Sequence, residues 1–320
     1  MPSCFVTGGS GFVGRSLIVR LRREGASVRA LARSESARKT VEAAGAQAVA
    51  GDLDDVAALR AGMEGCDTVF HAAAAVELAG DEAKIHRTNV TGTENALRAA
   101  KDAGTRCFVN VGAAAVVADG TPRRGVDETL ELPKGPAGIY SRTKALAEKL
   151  VREAGAPGFR TVTLRPPIIW GKGDTSALDE VLRAVRARRF AWIGGGKNLL
   201  ASCHVRNLCE ALLLAAKKGE GVYFVTDGET LTARELLTDL LKTQGVMPPD
   251  ISVPRPLALG AAYVCEFLWK ILPLPGNPPI VRTMVYLIGT DLGVSDAKIR
   301  RELGYKNVIS IAQGMAEMSQ

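Results

Sequence analysis

The stretch CFVTGGSGFVG, residues 4–14, decides the fold that this chain adopts. Residues 4–7 are apolar or β-branched, as in a short buried strand, and Val13 and Leu17 begin a helical stripe directly behind them. Glycines at such a junction let main-chain N–H groups approach phosphates, and the helix N-terminus adds partial positive charge. This context predicts a dinucleotide-binding loop in preference to an ordinary turn. The residues expected to meet the cofactor here are Gly8, Gly11, Phe12, Val13 and Gly14.

Short strand patterns alternate with helical patterns along the first half of the chain, which predicts a parallel sheet with crossover helices. The predicted strands are 4–7, 27–32, 46–50, 67–72, 106–111 and 160–164, and the predicted helices include 82–103 and 140–154. Beyond residue 166 the loops lengthen and glycine and proline become dense, for example at 273–279. We therefore predict an α/β fold with a Rossmann-type doubly wound parallel sheet in residues 1–165. A smaller, partly interleaved substrate domain is expected in residues 166–320, with some segments returning to the first domain.

The composition is that of an ordinary globular protein, with 47% hydrophobic and 23% charged residues among 320. It excludes a disordered, collagen-like or coiled-coil chain. The net charge of +7 invites a nucleic-acid interpretation. However, the arginine clusters at 20–23 and 183–189 fit the polar faces of helices and lack interleaved aromatic residues that would stack on bases. We expect no nucleic-acid partner.

The cysteines and histidines predict neither disulfides nor a metal site. Six cysteines show no paired or metal-type spacing, which favours free thiols in a reducing compartment. The chain begins without a pattern of the signal-peptide type, so we expect a cytoplasmic location. The three histidines, His71, His86 and His204, have no ligand spacing with cysteines or carboxylates.

The end of the second predicted strand bears on the choice of cofactor. An NAD-binding site usually carries a carboxylate there, which accepts hydrogen bonds from the ribose hydroxyls. This chain has Ala32 at that place, followed by Arg33, with Arg38 and Lys39 nearby. Because a guanidinium suits a 2′-phosphate, the sequence favours NADP(H) over NAD(H).

Further short motifs follow the glycine loop in a fixed order. They are Gly51-Asp52-Leu53, Phe70-His71-Ala72-Ala73-Ala74, Asn89-Val90-Thr91-Gly92-Thr93, Tyr140-Ser141-Arg142-Thr143-Lys144, Leu164-Arg165-Pro166, His204-Val205-Arg206-Asn207-Leu208 and Leu303-Gly304-Tyr305. With these motifs the chain resembles the extended short-chain dehydrogenase/reductase (NAD-dependent epimerase/dehydratase) family, and its long apolar C-terminal region resembles the 3β-hydroxysteroid dehydrogenase-like branch. The resemblance is strongest over the larger, N-terminal part of the chain and continues weakly to its end.

The resemblance implies positions along the cofactor and beside the active site. Asn89 would support the active-site helix. Asp52 and Leu53 would contact the adenine. Ala72, Ala73 and Ala74 would line the cofactor path, and Pro167, with its neighbour Pro166, would shape the loop beside the nicotinamide.

Tyr140 and Lys144 stand four residues apart on a predicted helix, so both side chains project from one face. A phenol has a pKa of about 10, and a nearby ammonium together with the charge of an oxidised nicotinamide favours its phenolate form. The resemblance implies that Tyr140 exchanges a proton with the substrate oxygen during hydride transfer, and that Lys144 also holds the nicotinamide ribose.

One position departs from the family pattern. The serine or threonine that normally follows the fifth strand and binds the substrate oxygen is replaced by Ala113. Losing one such donor typically lowers the rate by about 10²–10³-fold. Three explanations remain open. A backbone N–H, a water or another side chain replaces the donor; the substrate supplies its own hydroxyl; or catalysis has been lost. We favour the first two because Tyr140 and Lys144 are retained.

A helical pattern at 257–272 places Leu257, Val264, Leu268 and other apolar residues on one stripe, which we expect to face the core. The pattern is shorter than the ~20 apolar residues of a membrane span. Two sharper alternatives remain open: this helix and residues 281–287 line a pocket for a bulky apolar substrate, or, less favoured, the helix rests on a membrane surface.

Together these features predict an NADP(H)-dependent oxidoreductase that interconverts a hydrophobic, sterol-like or long-chain ketone and alcohol. Its expected partner is a small hydrophobic substrate, and a homodimer is left open. Two alternatives stay open. A nucleotide-sugar epimerase or dehydratase would use polar residues such as Lys197, Asn198 and His204. A non-catalytic NADP(H)-binding sensor or scaffold is motivated by Ala113.

Overall fold

The fold comes from a computed structural model that describes residues 2–175, 177–272 and 274–320. The predicted proline-rich stretch at 273–279 includes Pro273, which lies outside the described residues. The strands are β1 (Ser3–Thr7), β2 (Ser27–Ala32), β3 (Gln47–Ala50), β4 (Thr68–His71), β5 (Cys107–Val111), β6 (Arg123–Val126), β7 (Arg160–Arg165), β8 (Ile168–Trp170), β9 (Trp192–Ile193), β10 (Leu199–His204), β11 (Gly221–Phe224), β12 (Thr230–Thr232), β13 (Ser252–Val253) and β14 (Leu292–Val294). The helices are α1 (Phe12–Arg23), α2 (Glu35–Ala43), α3 (Val56–Met63), α4 (Glu82–His86), α5 (Gly92–Asp102), α6 (Gly138–Ala154), α7 (Ala177–Arg186), α8 (Val205–Lys218), α9 (Ala233–Lys242), α10 (Arg255–Ile271), α11 (Arg282–Ile288), α12 (Ala297–Leu303) and α13 (Ile311–Met318).

The main sheet has seven parallel strands in the order β11-β7-β5-β4-β1-β2-β3. Its strands are rich in buried residues such as Phe5 and Val109, because helices cover both faces of the sheet. Helices α1, α2, α8 and α12 pack on one face, and α3, α5 and α6 pack on the other. This confirms the predicted doubly wound fold, and the six predicted strands agree with the observed ones to within one residue at each end.

The strand order reverses between β1 and β4, which lie side by side in the main sheet. At such a switch point the loops leaving the carboxyl ends of the two strands turn to opposite faces and open a crevice. Here the crevice lies between the glycine loop after β1 and residues 72–75 after β4. The glycine motif thus lies at the switch point, where folds of this kind bind their ligands.

A second sheet follows the order β12-β10-β14-β6, with β8 also paired to β10, and β13 pairs with β9. The two sheets exchange segments: β11, late in the chain, pairs with β7 of the main sheet, whereas the early strand β6 pairs with β14. The C-terminal part is therefore interleaved with the N-terminal part, as predicted.

The predicted helix at 82–103 is interrupted in the structure. It consists of α4, a π-helical turn at Arg87–Thr91 and α5. A π turn widens the helix locally and is common at functional sites. The change of helical geometry centres on Asn89, which is buried.

The prediction for the C-terminal helix was wrong in its orientation. In α10 the buried residues are Ala258 and Ala262, whereas Leu257 and Val264 are exposed and Leu268 is half-buried. The alanines allow α10 to pack closely on α11 through Val285. The sequence showed an apolar stripe but not the side on which the rest of the protein lies. Within the described residues, no helix is both long enough and apolar enough to cross a bilayer.

The predictions for the cysteines and the arginine clusters agree with the structure, except at the end of α7. All six cysteines are free thiols, five of them buried and Cys265 half-buried. The basic cluster at 20–23 lies in the last turn of α1, as expected. Helix α7 ends at Arg186, so Arg188 and Arg189 lie beyond the helix, although both are exposed to solvent.

Candidate active site

The loop after β1 is shaped by glycines that no other residue can replace without strain. Gly8 has φ +68°, and a Cβ there would lie 2.6 Å from the backbone nitrogen of Ala73. A Cβ on Gly14 would lie 2.1 Å from the carbonyl oxygen of Gly8. Both contacts bring the loop, the start of α1 and the chain after β4 close together, and they leave the loop backbone bare.

The N-terminus of α1 is arranged to receive an anion. Its N-cap residue, Gly11, offers no side-chain hydrogen bond, and its first turn contains no acidic residue. The first-turn N–H groups have no partner within the helix, and the helix dipole favours negative charge at this end. The cradle therefore fits the pyrophosphate of a dinucleotide.

Thr7 and His71, at the ends of β1 and β4, begin a buried chain of hydrogen bonds. Thr7 Oγ1 lies 2.8 Å from His71 Nδ1, and His71 Nε2 lies 3.0 Å from Thr93 Oγ1. Because Thr93 donates its single hydroxyl proton to the carbonyl of Asn89, His71 must donate through Nε2 and accept through Nδ1. Thr7 Oγ1 in turn accepts from the N–H of Ala73. Burial, with a contribution from the Lys144 charge, lowers the pKa of His71 to about 3, so the ring is neutral.

Asn89 carries this chain to helix α6. Its amide exchanges two hydrogen bonds with the backbone of Ala75, and its Nδ2 also donates to Thr143 Oγ1 at 3.0 Å. Thr143 Oγ1 donates to the carbonyl of Tyr140. The loop that follows β4 is thereby tied to the helix turn that carries Tyr140.

Tyr140 and Lys144 lie on one face of α6, which packs against the turn after β5. Lys144 is buried and donates from Nζ to the carbonyl of Val111 at 2.6 Å. Burial lowers the pKa of Lys144 to about 8, opposed by the nearby Glu148 carboxylate, which raises it. Burial raises the pKa of the Tyr140 phenol to about 12. In the protein alone, burial therefore favours the protonated form of Tyr140, and the expectation that the Lys144 ammonium and an oxidised nicotinamide together favour its phenolate stays a prediction.

A buried ion pair that the sequence analysis missed lies one turn beyond Lys144. Arg165, at the end of β7, donates from Nε and Nη2 to the two carboxylate oxygens of Glu148 at 2.7 and 2.5 Å. Both side chains are buried, and Arg165 also lies over the ring of Phe224. The spacing of Glu148 four residues after Lys144 was the available signal, but its partner is far away in sequence.

The turn that carries Ala113 is joined to the loop after β7. The N–H of Ala114 donates to the carbonyl of Pro166 at 2.8 Å, so Ala113 and Pro167 lie on the same edge of the main sheet. Ala113 is buried and offers no side-chain donor. Ser141, the residue after Tyr140, is buried, and its Oγ has no hydrogen-bond partner.

The residues expected to bind the adenosine half of the cofactor are more exposed than Lys144. Arg33 is exposed after β2 and makes no ion pair among the described residues, whereas Arg38 bonds to Glu35 and Glu42 of its own helix. Asp52 is exposed and accepts from two N–H groups of its own loop. The half-buried Leu53 packs against Gly92, and the half-buried Ala72 and Ala73 lie beside Gly8 of the glycine loop. Ala74 is half-buried as well.

The polar residues cited for a nucleotide-sugar site differ in burial and in their contacts. His204 is buried, with its ring edge-on to Trp170. Asn198 donates to the carbonyl of Thr290, and only Lys197 is exposed. In the part of the chain that the structure describes, no group of three or more histidines, cysteines and carboxylates is placed to hold a metal ion.

A dinucleotide cradle at the switch point and a Tyr-x-x-x-Lys pair on the adjoining helix define an extended short-chain dehydrogenase/reductase. Comparison with known proteins narrows this class. The profile of the 3-beta hydroxysteroid dehydrogenase/isomerase family matches residues 5–255, and the chain belongs to that family. It is accordingly an oxidoreductase of the NAD(P)-dependent kind.

Two relatives and one solved structure illustrate the similarity. The chain is 46% identical to a 4-hydroxy-2-methyl-3-oxo-4-farnesyl-3,4-dihydroquinoline-1-oxide ketoreductase of Stigmatella aurantiaca, over 99% of this chain and 95% of that protein. It is 31% identical to a decarboxylating sterol-4-alpha-carboxylate 3-dehydrogenase of Dictyostelium discoideum, over 99% and 100% of the two chains. The dTDP-glucose 4,6-dehydratase DesIV of Streptomyces venezuelae, solved with NAD, shares the fold with a TM-score of 0.75 at 24% identity, over 99% and 95%.

Proposed function

We propose that this protein is an NADP(H)-dependent ketoreductase that reduces an apolar ketone, sterol-like or long-chain, to the alcohol. The observation that carries this proposal is the placement of Tyr140 and Lys144 on one face of α6, because a protonated phenol beside an ammonium can donate a proton to a carbonyl oxygen. The direction is supported by the relative named a ketoreductase. The relatives named for a farnesyl dihydroquinoline oxide and for a sterol carboxylate support a largely apolar substrate.

Each named side chain has a separate task in this proposal. The bound nicotinamide supplies the hydride. Tyr140 donates its phenolic proton to the substrate oxygen as negative charge develops there. Lys144, while protonated, stabilises the resulting phenolate and contacts the nicotinamide ribose. Asn89 acts as a positioning residue, because it ties the first turn of α6 to the chain after β4.

The glycine loop, with Gly8, Gly11, Phe12, Val13 and Gly14, would hold the pyrophosphate of the cofactor. Asp52 and Leu53 would meet the adenine, Ala72, Ala73 and Ala74 would line its path, and Pro167 would close the nicotinamide side. The preference for NADP(H) is supported by Arg33, the exposed cation at the end of β2 that has no ion-pair partner in the described part of the chain.

Because Ala113 stands where the family carries a serine or threonine, the site lacks one hydrogen-bond donor for the substrate oxygen. We propose that another donor binds the substrate oxygen together with Tyr140. The hydroxyl of Ser141 is a candidate, because it lies three residues before Lys144 on α6 and its buried Oγ has no partner. A hydroxyl on the substrate itself would serve the same purpose.

We further propose that residues 1–165 form the dinucleotide-binding domain and that residues 166–320 mainly bind the substrate. The five buried thiols fit a reducing compartment and support a cytoplasmic location.

The test is turnover of NADPH with a panel of ketones of increasing apolar size, comparing the natural protein with Tyr140→Phe. We expect Tyr140→Phe to lower kcat by about 10²–10⁴-fold, since it removes the proton donor, while NADPH binding is unchanged. Tyr223→Phe, which changes a buried tyrosine of β11 in the main sheet, serves as the matched control. A Tyr140→Phe variant with undiminished turnover would show that the mechanism is wrong.

A further inference from the structure

One ion pair of the protein is buried at both ends. Arg165, the last residue of β7, donates from Nε and Nη2 to the two carboxylate oxygens of Glu148 on α6, at 2.7 and 2.5 Å. The two side chains are 5% and 2% exposed, and no other ion pair among the described residues has both side chains so deeply buried. A buried ion pair is weak evidence of stability, since apolar residues of similar volume often stabilise a fold as well. The pair therefore calls for a role beyond stability.

The guanidinium of Arg165 is held in one orientation. It lies over the ring of Phe224, 5.2 Å from the ring centroid, and Glu148 is the one side chain among the described residues to which it donates. The main-chain carbonyl of Arg165 accepts from the N–H of Val225, directly after β11. Because a planar guanidinium binds a carboxylate through two parallel hydrogen bonds, it fixes the angle of its partner as well as the distance.

On α6 the ion pair is the second of two buried anchors. Lys144 donates from Nζ to the carbonyl of Val111 at the end of β5, at 2.6 Å, and Glu148 reaches β7 one turn later. A single anchor would leave the helix more freedom to rotate about its axis. Two anchors on the same face, about 6 Å apart along the helix, remove that freedom. Arg165 therefore helps to determine where the Lys144 ammonium lies.

On β7 the same arginine fixes the segment that follows it, Pro166 and Pro167. Proline locks its own φ, and the residue before a proline is limited to extended backbone, so little freedom separates Arg165 from Pro167. The carbonyl of Pro166 accepts from the N–H of Ala114 at 2.8 Å, which joins this segment to the turn after β5. The position of Arg165 is thus passed on to Pro167.

We propose that Arg165 is a positioning residue for the nicotinamide half of the cofactor. Through Glu148 it places Lys144, which would hold the nicotinamide ribose, and through its own backbone it places Pro167, which would lie beside the nicotinamide. The ion pair thereby sets the width of the gap between α6 and the end of β7. This inference rests on the proposed function, from which it takes the roles of Lys144 and Pro167.

The adenosine half of the cofactor lies outside the reach of the ion pair. It would meet Arg33 after β2 and Asp52 after β3, and in the strand order β7-β5-β4-β1-β2-β3 these strands are the fourth and fifth from β7. Four strand spacings amount to about 19 Å. A change at Arg165 is therefore expected to alter the binding of one half of the cofactor and not of the other.

The test compares two ligands that differ by the nicotinamide half. NADPH carries it, whereas adenosine 2′,5′-bisphosphate carries the adenosine and the 2′-phosphate without it. Calorimetric titration of the full-length protein gives both dissociation constants. In Arg165→Met we expect the dissociation constant of NADPH to rise by about tenfold and that of the bisphosphate to stay within about twofold. NADH and ADP form a second pair of this kind, so the comparison does not depend on which cofactor the protein prefers.

Arg300→Met is the matched control. Arg300 also donates from Nε and Nη2 to one carboxylate, Asp296, at 2.8 and 2.7 Å, and it lies over the ring of Tyr305 at 5.0 Å. Breaking this pair should lower the thermal stability and leave the ratio of the two dissociation constants as in the natural protein. An equal change of that ratio in Arg165→Met and Arg300→Met would contradict a specific role of Arg165.

A double variant keeps the test decisive if Arg165→Met, which leaves the Glu148 charge buried without a partner, does not fold. Arg165→Met with Glu148→Leu removes both charges, so we expect it to unfold near the temperature of the natural protein and still to bind NADPH about tenfold more weakly. All titrations are run well below the Lys144 pKa of about 8, so that the ammonium stays protonated when Glu148 is replaced.

The fluorescence of bound NADPH gives a second readout, because the emission comes from the nicotinamide ring. We expect the rise in emission on binding to be smaller in the double variant than in the natural protein and unchanged in Arg300→Met. A general loosening of the fold would not separate these two variants.

Two outcomes would overturn the inference. The first is a double variant that binds NADPH as tightly as the natural protein and with the same emission. The second is an equal loss of affinity for NADPH and for adenosine 2′,5′-bisphosphate. Neither readout uses turnover, so the two proposals fail separately: absence of ketone reduction counts against the proposed function, and these titrations decide the role of the ion pair.

Discussion

At the scale of single residues, the two side chains of the Tyr-x-x-x-Lys motif have opposite shifts of pKa from one physical cause. Burial disfavours the charged form of each group, so it raises the pKa of the Tyr140 phenol and lowers that of the Lys144 ammonium. Tyr140 is therefore protonated over the whole physiological range, whereas Lys144 titrates within it. We therefore propose that Lys144 is the group whose deprotonation limits the reaction at alkaline pH.

Burial lowers the pKa of Lys144 and Glu148 opposes this shift, so both influence the pH at which we expect this limit. We expect kcat/KM for ketone reduction to be maximal below the Lys144 pKa of about 8 and to fall as the pH rises through it, because the ammonium is the active form. Glu148→Gln removes the anion that raises this pKa, so the fall should move to lower pH. Glu153→Gln, an exposed change on the same helix, should leave the pH profile where it is. An alkaline limb that Glu148→Gln does not move would assign the titration to another group.

Position 113 offers a test of whether another donor already binds the substrate oxygen. Ala113→Ser restores a hydroxyl at the position where the family carries one. Because we propose that another donor already binds the substrate oxygen, we expect kcat to change by less than about tenfold, whereas a donor that was missing would contribute about 10²–10³. Ala115→Ser, two residues further on in the same buried turn, is the control. A larger rise in Ala113→Ser alone would mean that no other donor binds the substrate oxygen.

At the scale of elements, helix α2 holds one of the arginines that follow β2 in ion pairs and leaves another unpaired. Ser34 caps the helix by accepting from the N–H of Ala37, and Arg38 is held by Glu35 and Glu42, three and four residues away. Arg33 lies before the cap and outside these pairs. The helix therefore uses one arginine for its own surface and leaves the other available for a ligand.

This arrangement predicts which arginine recognises a 2′-phosphate. Arg33→Ala should weaken NADPH binding by about 10–100-fold, because a charge-assisted hydrogen bond is lost, and should leave NADH binding nearly unchanged. Arg38→Ala, the matched control, should alter both affinities little. Both constants follow from fluorescence titration. Equal loss for NADPH and NADH in Arg33→Ala would contradict a role at the 2′ position.

At the scale of the whole molecule, one buried carboxylate joins the second sheet to the end of the chain. Asp227 accepts hydrogen bonds from Trp170 Nε1, Ser202 Oγ, the N–H of His204 and Asn207 Nδ2, at 2.7–2.8 Å. Its own carbonyl accepts from Asn307. The four donors that its side chain accepts from are uncharged, and they come from β8, β10 and α8.

Replacing this carboxylate tests how much of the stability depends on the junction. Asp227→Asn turns an amide NH₂ toward two of the donors and leaves them buried without an acceptor. We expect a loss of about 2–5 kcal/mol in the free energy of unfolding, measured by urea denaturation. Asp250→Asn removes one exposed ion pair with Arg234 and should cost less than about 1 kcal/mol. Equal stability of the two variants would show that the junction contributes little.

The sequence by itself determined the parallel α/β fold, the cofactor loop and the Tyr140–Lys144 spacing. These features depend on strand and helix periods, on glycine geometry and on residues four apart on one helix, all of which are local. Even so, the polar α2 and the short α3 were not predicted, because their apolar positions are too few to show a clear period.

The tertiary structure alone decided three other matters. It joined Thr7, His71 and Asn89 into one hydrogen-bond chain, and it placed Arg165 beside Glu148, which moves the pKa of Lys144. It also turned the large residues of α10 away from the core. Each of these features depends on which elements pack together. The burial and the partners of a side chain are set by neighbours distant in sequence, and the local periodicity of a sequence carries no information about them.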